Sequence, residues 1–260
     1  MIATHTATAY LTPLREGGSL PAIVRADNQR LYAMKFTGAG QGRRALIAEV
    51  IGGEIARRLG FTVPEIAFLE LDPAIGRNER DAEIQDLLQA SAGLNFGMAF
   101  LDGATTFNPL SPTGVDPDFA ARLVWLDAFL TNVDRTARNV NLLVHADRVW
   151  LIDHGAALYF HHTWQDPERQ AETPFARIRD HVLLPYAERL RDIDGEMRAP
   201  LSEALFAEIV AAIPDDWLGE GTAFATPEAY RRAYVAFLLH RLNHADRFVE
   251  EADRARSDVA

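Results

Sequence analysis

The chain has 260 residues, 48% hydrophobic and 24% charged, with a formal net charge of -11 and no cysteine. That balance fits one large domain or two lobes around a cleft, leaves no disulfide framework or thiolate metal site, and is compatible with a reducing, cytoplasmic setting. The acidic excess disfavours nucleic acid and anionic membrane surfaces as partners, since both are polyanions, and no apolar run approaches the roughly 20 residues of a bilayer-spanning helix.

The opening MIATHTATAYL lacks the basic start and apolar core of a signal peptide. Next comes REGGSLP, where Gly17 and Gly18 permit close approach of backbone to a ligand, although a Gly-Gly pair is more often a plain turn. PAIVRADNQ and RLYAMKF alternate with β-branched and aromatic residues, which predicts two strands turning at Asp27-Asn28. The second carries Lys35. Of 26 basic residues every other one is arginine, so this position suits a site that needs a compact ammonium on a flexible stem rather than a planar fork.

After the glycine-rich TGAGQG, apolar residues at Leu46, Ile47, Val50, Ile51, Ile55 and Leu59 recur at helical spacing, with Gly60 as the stop. Glu49 falls opposite that apolar arc beside Gly52 and Gly53, while Glu54 falls within it. Either could pair with a strand lysine and hold it over phosphates; alone, each would read as a solvated charge. PEIAFLEL predicts a strand, RNERDAEIQDLLQAS a polar loop and short helix, and LNFGMAFL a further strand. A loop-like stretch follows. Asp116 and Pro117 then start an apolar helix through Leu130.

That helix delivers the chain to NVDRTARNVNLLV, where polar groups crowd between apolar runs. Asp134 can accept a hydrogen bond from an attacking hydroxyl and orient it. Asn139 and Asp153 offer hard oxygen atoms suited to Mg²⁺, and a hairpin of NLLV and VWLI around HADR would bring them together. D-x-x-x-x-N, a short hairpin and D-x-G, preceded by a strand lysine and a helix glutamate, is an ordered phosphotransferase set of the protein-kinase kind.

REGGSLP, YAMKF, AEVIGGEIARRLGFTVPE, NVDRTARNVNLL and LIDHGAALYF together resemble the HipA-like kinases over most of the chain. The resemblance implies a protein-kinase-like two-lobe α+β fold. Its N-terminal lobe, 1–102, would be small, antiparallel, β-rich and provided with one helix; its C-terminal lobe, 103–260, would be larger and mostly helical. It implies ATP and Mg²⁺ as ligands, Lys35 on the phosphates, Glu49 rather than Glu54 as the lysine's partner, Asp134 as the catalytic aspartate, and Asn139 and Asp153 as metal ligands. By the same matching Gly17, Gly18 and Ser19 form the phosphate loop and Ala33 lines the adenine pocket. Phe100, Leu101 and Asp102 form the hinge, and Leu142 or Leu143 closes the pocket with Ile152.

The chain departs from the family pattern in three respects. It lacks room for the extra N-terminal subdomain of HipA toxins and so reads as a short, stand-alone member. Neither Thr12 nor Ser19 matches the toxins' autoregulatory serine, and His154 stands where protein kinases have the phenylalanine of Asp-Phe-Gly. NVDRTARN with IDHG is also similar to type II phosphatidylinositol kinases, and IDHG to aminoglycoside phosphotransferases. The expected activity is transfer of the γ-phosphate of ATP to a hydroxyl of a protein serine or threonine. The alternatives are a small-molecule or phosphoinositide kinase and a nucleotide-binding pseudokinase; retention of the catalytic groups argues against the last. His154, His161, His162 and His181 match no common zinc spacing. Trp125, Trp150 and Trp164 read as packing residues. The stretch from Ala229 to Arg256 reads as one long amphipathic helix.

Overall fold

A computed structural model describes residues 1–14, 20–40, 42–77, 79–219 and 224–258. The chain begins with strand β1 (Ala3–Pro13), then the hairpin β2 (Ala22–Ala26) and β3 (Leu31–Lys35), helix α1 (Gly42–Arg58), strand β4 (Ile66–Leu71), helix α2 (Ala82–Ala90) and strand β5 (Gly93–Ala99). These five strands close in the order β1-β2-β3-β5-β4. The antiparallel, one-helix expectation needs two corrections. β1 pairs with β4 in parallel through Ala3–Thr6 and then with β2 antiparallel up to Pro13, and α2, the short helix expected in RNERDAEIQDLLQAS, stands beside the one helix that the resemblance implies. The closure was hard to foresee because β1 is a Thr/Ala strand with little apolar alternation. It reaches both partners by bending, with register shifts between Ala7 and Ala9 and between Tyr10 and Thr12.

Alternation divides the sheet residues between two cores. Val24, Ala26, Tyr32, Met34, Ala67 and Leu69 fill the closed sheet, with Leu88 of α2. Ile66, Phe68, Phe96 and Met98 face the other way and join a larger cluster. That cluster continues through α1 into the helical part, so the apolar interior does not divide near residue 102. Being covered on both sides, α1 has buried residues all round, including Glu49 at 0% exposure. The one-sided apolar arc in its sequence understates that burial.

A short strand β6 (Thr105–Thr106) leads to α3 (Pro117–Phe129), whose first turn is capped by Asp116 Oδ1 accepting from Phe119 N at 2.7 Å. Strands β7 (Leu142–His145) and β8 (Arg148–Leu151) form the expected hairpin, turning at Ala146 and Asp147 with φ of +49° and +58°. Helices α4 (Pro167–Ala171), α5 (Asp194–Arg198), α6 (Glu203–Ala211), α7 (Pro227–Asn243) and α8 (Ala245–Ser257) complete the fold. The single long C-terminal helix is thus corrected to two. His244, at φ -113° and ψ +30°, breaks it, and Phe248 of α8 turns in against Trp125 and Phe129 of α3. Trp125 is fully buried, whereas Trp150 and Trp164 are partly buried.

Candidate active site

Lys35 and Ala33 occupy the face of β3 opposite to Tyr32 and Met34, level with Phe96 and Met98 on β5. From there the Lys35 ammonium reaches two carboxylates. Nζ donates to Oε1 of Glu49 on α1 at 2.5 Å and to Oδ1 of Asp153 at 2.7 Å. Glu54, the alternative glutamate, pairs instead with Arg57 along its own helix at 3.3 Å.

Glu49 also ties α1 to the turn after β8, because its Oε2 accepts from the backbone N–H of His154 at 2.9 Å. Close packing makes that contact possible. A Cβ on Gly52 would lie 2.7 Å from Cβ of His154, and one on Gly155 would lie 3.1 Å from Oε1 of Glu49. The turn places Asp153 at φ +54°, a conformation that aspartate tolerates better than most residues.

Burial opposes the Lys35 charge, but Glu49 and Asp153 more than offset it and hold the amine above its ordinary pKa. Burial likewise opposes ionisation of Asp153, yet Lys35 holds it below the carboxylate range. Glu49 is pushed up by burial and by the neighbouring Asp153, against the pull of Lys35.

Asp134 and Asn139 lie in the loop after α3. Asn139 Nδ2 donates to Asp134 Oδ2 at 2.7 Å, and Asp134 N donates to Asn132 Oδ1 at 3.1 Å. Partial burial raises Asp134 above its ordinary pKa, against the hydrogen bond from Asn139. Asn139 is exposed.

The loop is held from beneath by a buried polar group. Asp127 of α3 accepts from Asn132 Nδ2 at 2.9 Å, from Arg135 Nε at 2.6 Å and, at 2.9 Å, from His181 Nε2. The Arg135 guanidinium also donates to the carbonyls of Asn141 and Ile152, so one buried cation links the loop, β7 and the segment leading to Asp153. Burial works against the Asp127 charge, but Arg135 and His181 hold its pKa well down. No motif spacing in the sequence points to this group. Its signal is Asp127 itself, a carboxylate within the otherwise apolar LVWLDAFL, since buried charge persists only when paired.

The remaining expected residues are placed as follows. Phe100, Leu101 and Asp102 run directly out of β5, with Phe100 N donating to Leu31 O at 2.9 Å and Phe100 itself 40% exposed. Ile152 is partly buried, Leu142 is 1% exposed within the main core, and Leu143 keeps partial exposure. Of the two leucines, therefore, Leu143 is the one with surface to offer a ligand. Gly17, Gly18 and Ser19 lie outside the described residues.

A family model described as HipA-like kinase matches residues 9–252. The chain belongs to the HipA-like kinase family. Among solved structures, this HipA-like kinase is similar to the Helicobacter pylori proinflammatory kinase CtkA, with TM-score 0.59, 12% identity and 100% of both chains covered. It is also similar to the Golgi casein kinase with Mn/ADP bound, with TM-score 0.52, 12% identity, and 96% of this chain and 74% of that one covered. A second structure of the Golgi casein kinase gives TM-score 0.51 at 12% identity, covering 96% of this chain and 72% of that one. At such identities the likeness shows a kinase-like fold. No curated protein matches the chain. Among the described residues, no helix of this HipA-like kinase is long and apolar enough to cross a membrane.

Proposed function

We propose that the chain transfers the γ-phosphate of ATP to a hydroxyl of a protein serine or threonine, in a cleft between residues 1–102 and 103–260. The observation that carries this reading is the Lys35 ammonium held between Glu49 and Asp153, with the Asp134–Asn139 pair on the adjoining loop. In this reading Lys35 binds phosphate oxygens, and Glu49 keeps its stem aimed at them. Ala33, the Phe100–Asp102 backbone, Leu143 and Ile152 take the adenine.

The donor set suits a magnesium ion. Asp153 is held ionised by Lys35, and Asn139 turns its amide nitrogen to Asp134, which leaves Oδ1 as a hard oxygen ligand. The ion, when bound, neutralises charge on the phosphate oxygens. Asp134 touches neither Lys35 nor Asp153 by hydrogen bond, so it is available to orient the acceptor hydroxyl and accept its proton. The Golgi casein kinase structure with Mn/ADP bound supports nucleotide and divalent cation as ligands of this fold.

Calorimetry with ATP, with and without Mg²⁺, tests the reading. Binding should require the cation, and a hundredfold excess of nucleotide over its Kd should stabilise the fold by about 2.7 kcal/mol. Phosphate transfer to peptides bearing serine or threonine should accompany it. Absence of magnesium-dependent nucleotide binding would overturn the proposal. Binding with transfer only to small molecules would overturn its choice of acceptor.

A further inference from the structure

Away from the Lys35 cluster, His240 in the last turn of α7 and His244, the residue that caps it, stand four residues apart. His240 and His244 share a helix face, and their ring centroids lie 4.5 Å apart at an interplanar angle of 29°. Glu172, the residue that follows α4, brings a carboxylate to the same place. His240 Nε2 lies 3.1 Å from Glu172 Oε1, and ligand atoms from the three residues all fall within 4.8 Å of one another. Four-coordinate zinc, with bonds of about 2.0–2.1 Å, sets neighbouring ligand atoms about 3.3 Å apart. The His240–Glu172 pair already stands near that spacing. His244 needs only a small side-chain movement to join it.

The surrounding contacts prepare two of the donors, while His240 Nε2, which donates to Glu172 Oε1, must give up its proton or move it to Nδ1 as the metal binds. His244 Nδ1 lies 2.8 Å from the carbonyl of His240. A carbonyl only accepts, so the proton sits on Nδ1 and the lone pair on Nε2, the tautomer a metal requires. Arg247 Nη1 holds the other oxygen of Glu172, Oε2, at 3.0 Å, which leaves Oε1 to bind through one atom. The three residues are partly buried, so the position is enclosed yet open to solvent.

We propose that Glu172, His240 and His244 form a zinc-binding site, with its fourth position left to water, that pins the residues after α4 to the end of α7. The pinned segment already makes a neighbouring contact with α7. Arg241, between the two histidines, donates to the carbonyls of Ala171 and Thr173. Zinc would add a bond from side chains on either side of that arginine. The site is independent of the phosphate-transfer chemistry.

The test is titration of the tag-free, chelator-stripped full chain with zinc sulfate by calorimetry. One equivalent should bind in the micromolar range or tighter. The double variant H240A/H244A should lose that equivalent, and Glu172→Gln should weaken it by more than about 10-fold, as outer contacts alone do at the least. Zinc should also slow hydrogen exchange of the amides of residues 167–173 and shield His240 and His244 of the unmodified chain from diethylpyrocarbonate. Those two readouts do not depend on any variant folding. Absence of a stoichiometric equivalent, equal zinc affinity in the double variant, or unshielded histidines would each overturn the site.

Discussion

Lys35 is the residue on which the site turns. Its ammonium is shared by two carboxylates, one wholly buried and one 37% exposed. A guanidinium is wider, planar and fixed in its donor directions, and cannot occupy the same point between Glu49 and Asp153. Lys35→Arg should therefore lower phosphate transfer by about 100-fold, a loss typical of misplacement by about 1 Å. Initial rates of the two proteins check this, and equal rates would mean that the single lysine is incidental. Asp134 and Asp153 should separate in kind. Asp153→Ala should weaken magnesium-nucleotide binding as well as turnover. Asp134→Asn should leave binding nearly intact and cut the rate about 10²–10⁴-fold, as loss of a general base does. Nucleotide titration beside transfer assays on both variants distinguishes the roles.

At the scale of elements, α1 governs the site because it touches both sides of it. Glu49 reaches Lys35 on β3 and the backbone of His154 beyond β8, and Gly52 lets the helix approach that turn. A Cβ at Gly52 would meet Cβ and Cγ of His154 at 2.7 and 3.1 Å, atoms close to the backbone that cannot swing aside. Gly52→Ala should cost about 1–3 kcal/mol from overpacking, less some of the roughly 1 kcal/mol that alanine gains in helix propensity, and should lower activity through displacement of Asp153. Gly53→Ala makes the contrast. Its Cβ would meet the Cδ1 tip of Ile66 at 2.6 Å, which a rotamer change relieves, so its denaturant midpoint should stay close to the parent's. If the two variants lose equal stability, the special closeness at Gly52 is refuted.

The whole molecule carries several imidazoles that its interior keeps neutral. His161 is fully buried and shares a hydrogen bond with Tyr234 Oη at 3.0 Å. Burial first, then His162 and Arg44, hold its pKa well below 6.5. On unfolding it binds a proton that the folded state refuses, so the unfolded chain carries more protons below that value. Stability should thus be full above about pH 6.5 and decline as pH falls, by up to ~1.4 kcal/mol per pH unit for this group. His181, also depressed chiefly by burial, acts in the same sense. Urea unfolding from pH 7 to 5 should show the decline, and His161→Leu should make it shallower by one group's share. An unchanged slope would mean that His161 is protonated in the fold.

The hairpins, the α1 stop at Gly60 and the α3 start at Asp116 were legible in the sequence because each depends on neighbours in the chain, through alternation, positive φ and capping. A candidate set of Lys35, a helix glutamate, Asp134, Asn139 and Asp153 could be named from the sequence because it needs only residue types in order on recognisable elements; the fold adds that Lys35 contacts Glu49 and Asp153 and that Asn139 contacts Asp134. The residues' own pattern leaves Glu49 and Glu54 both open, since both lie on one helix; the family resemblance points to Glu49, and packing is what sets Glu49 against Lys35 and Glu54 against Arg57. Tertiary structure alone decided the parallel closure of β1 on β4, which joins strands that lack a local turn signal, and the break at His244, where α8 turns to bury Phe248. It alone also assembled the Asp127–Arg135–His181 group and the Glu172–His240–His244 cluster. Their members come from distant parts of the chain, and charge becomes specific only where the fold removes water and sets one side chain opposite another.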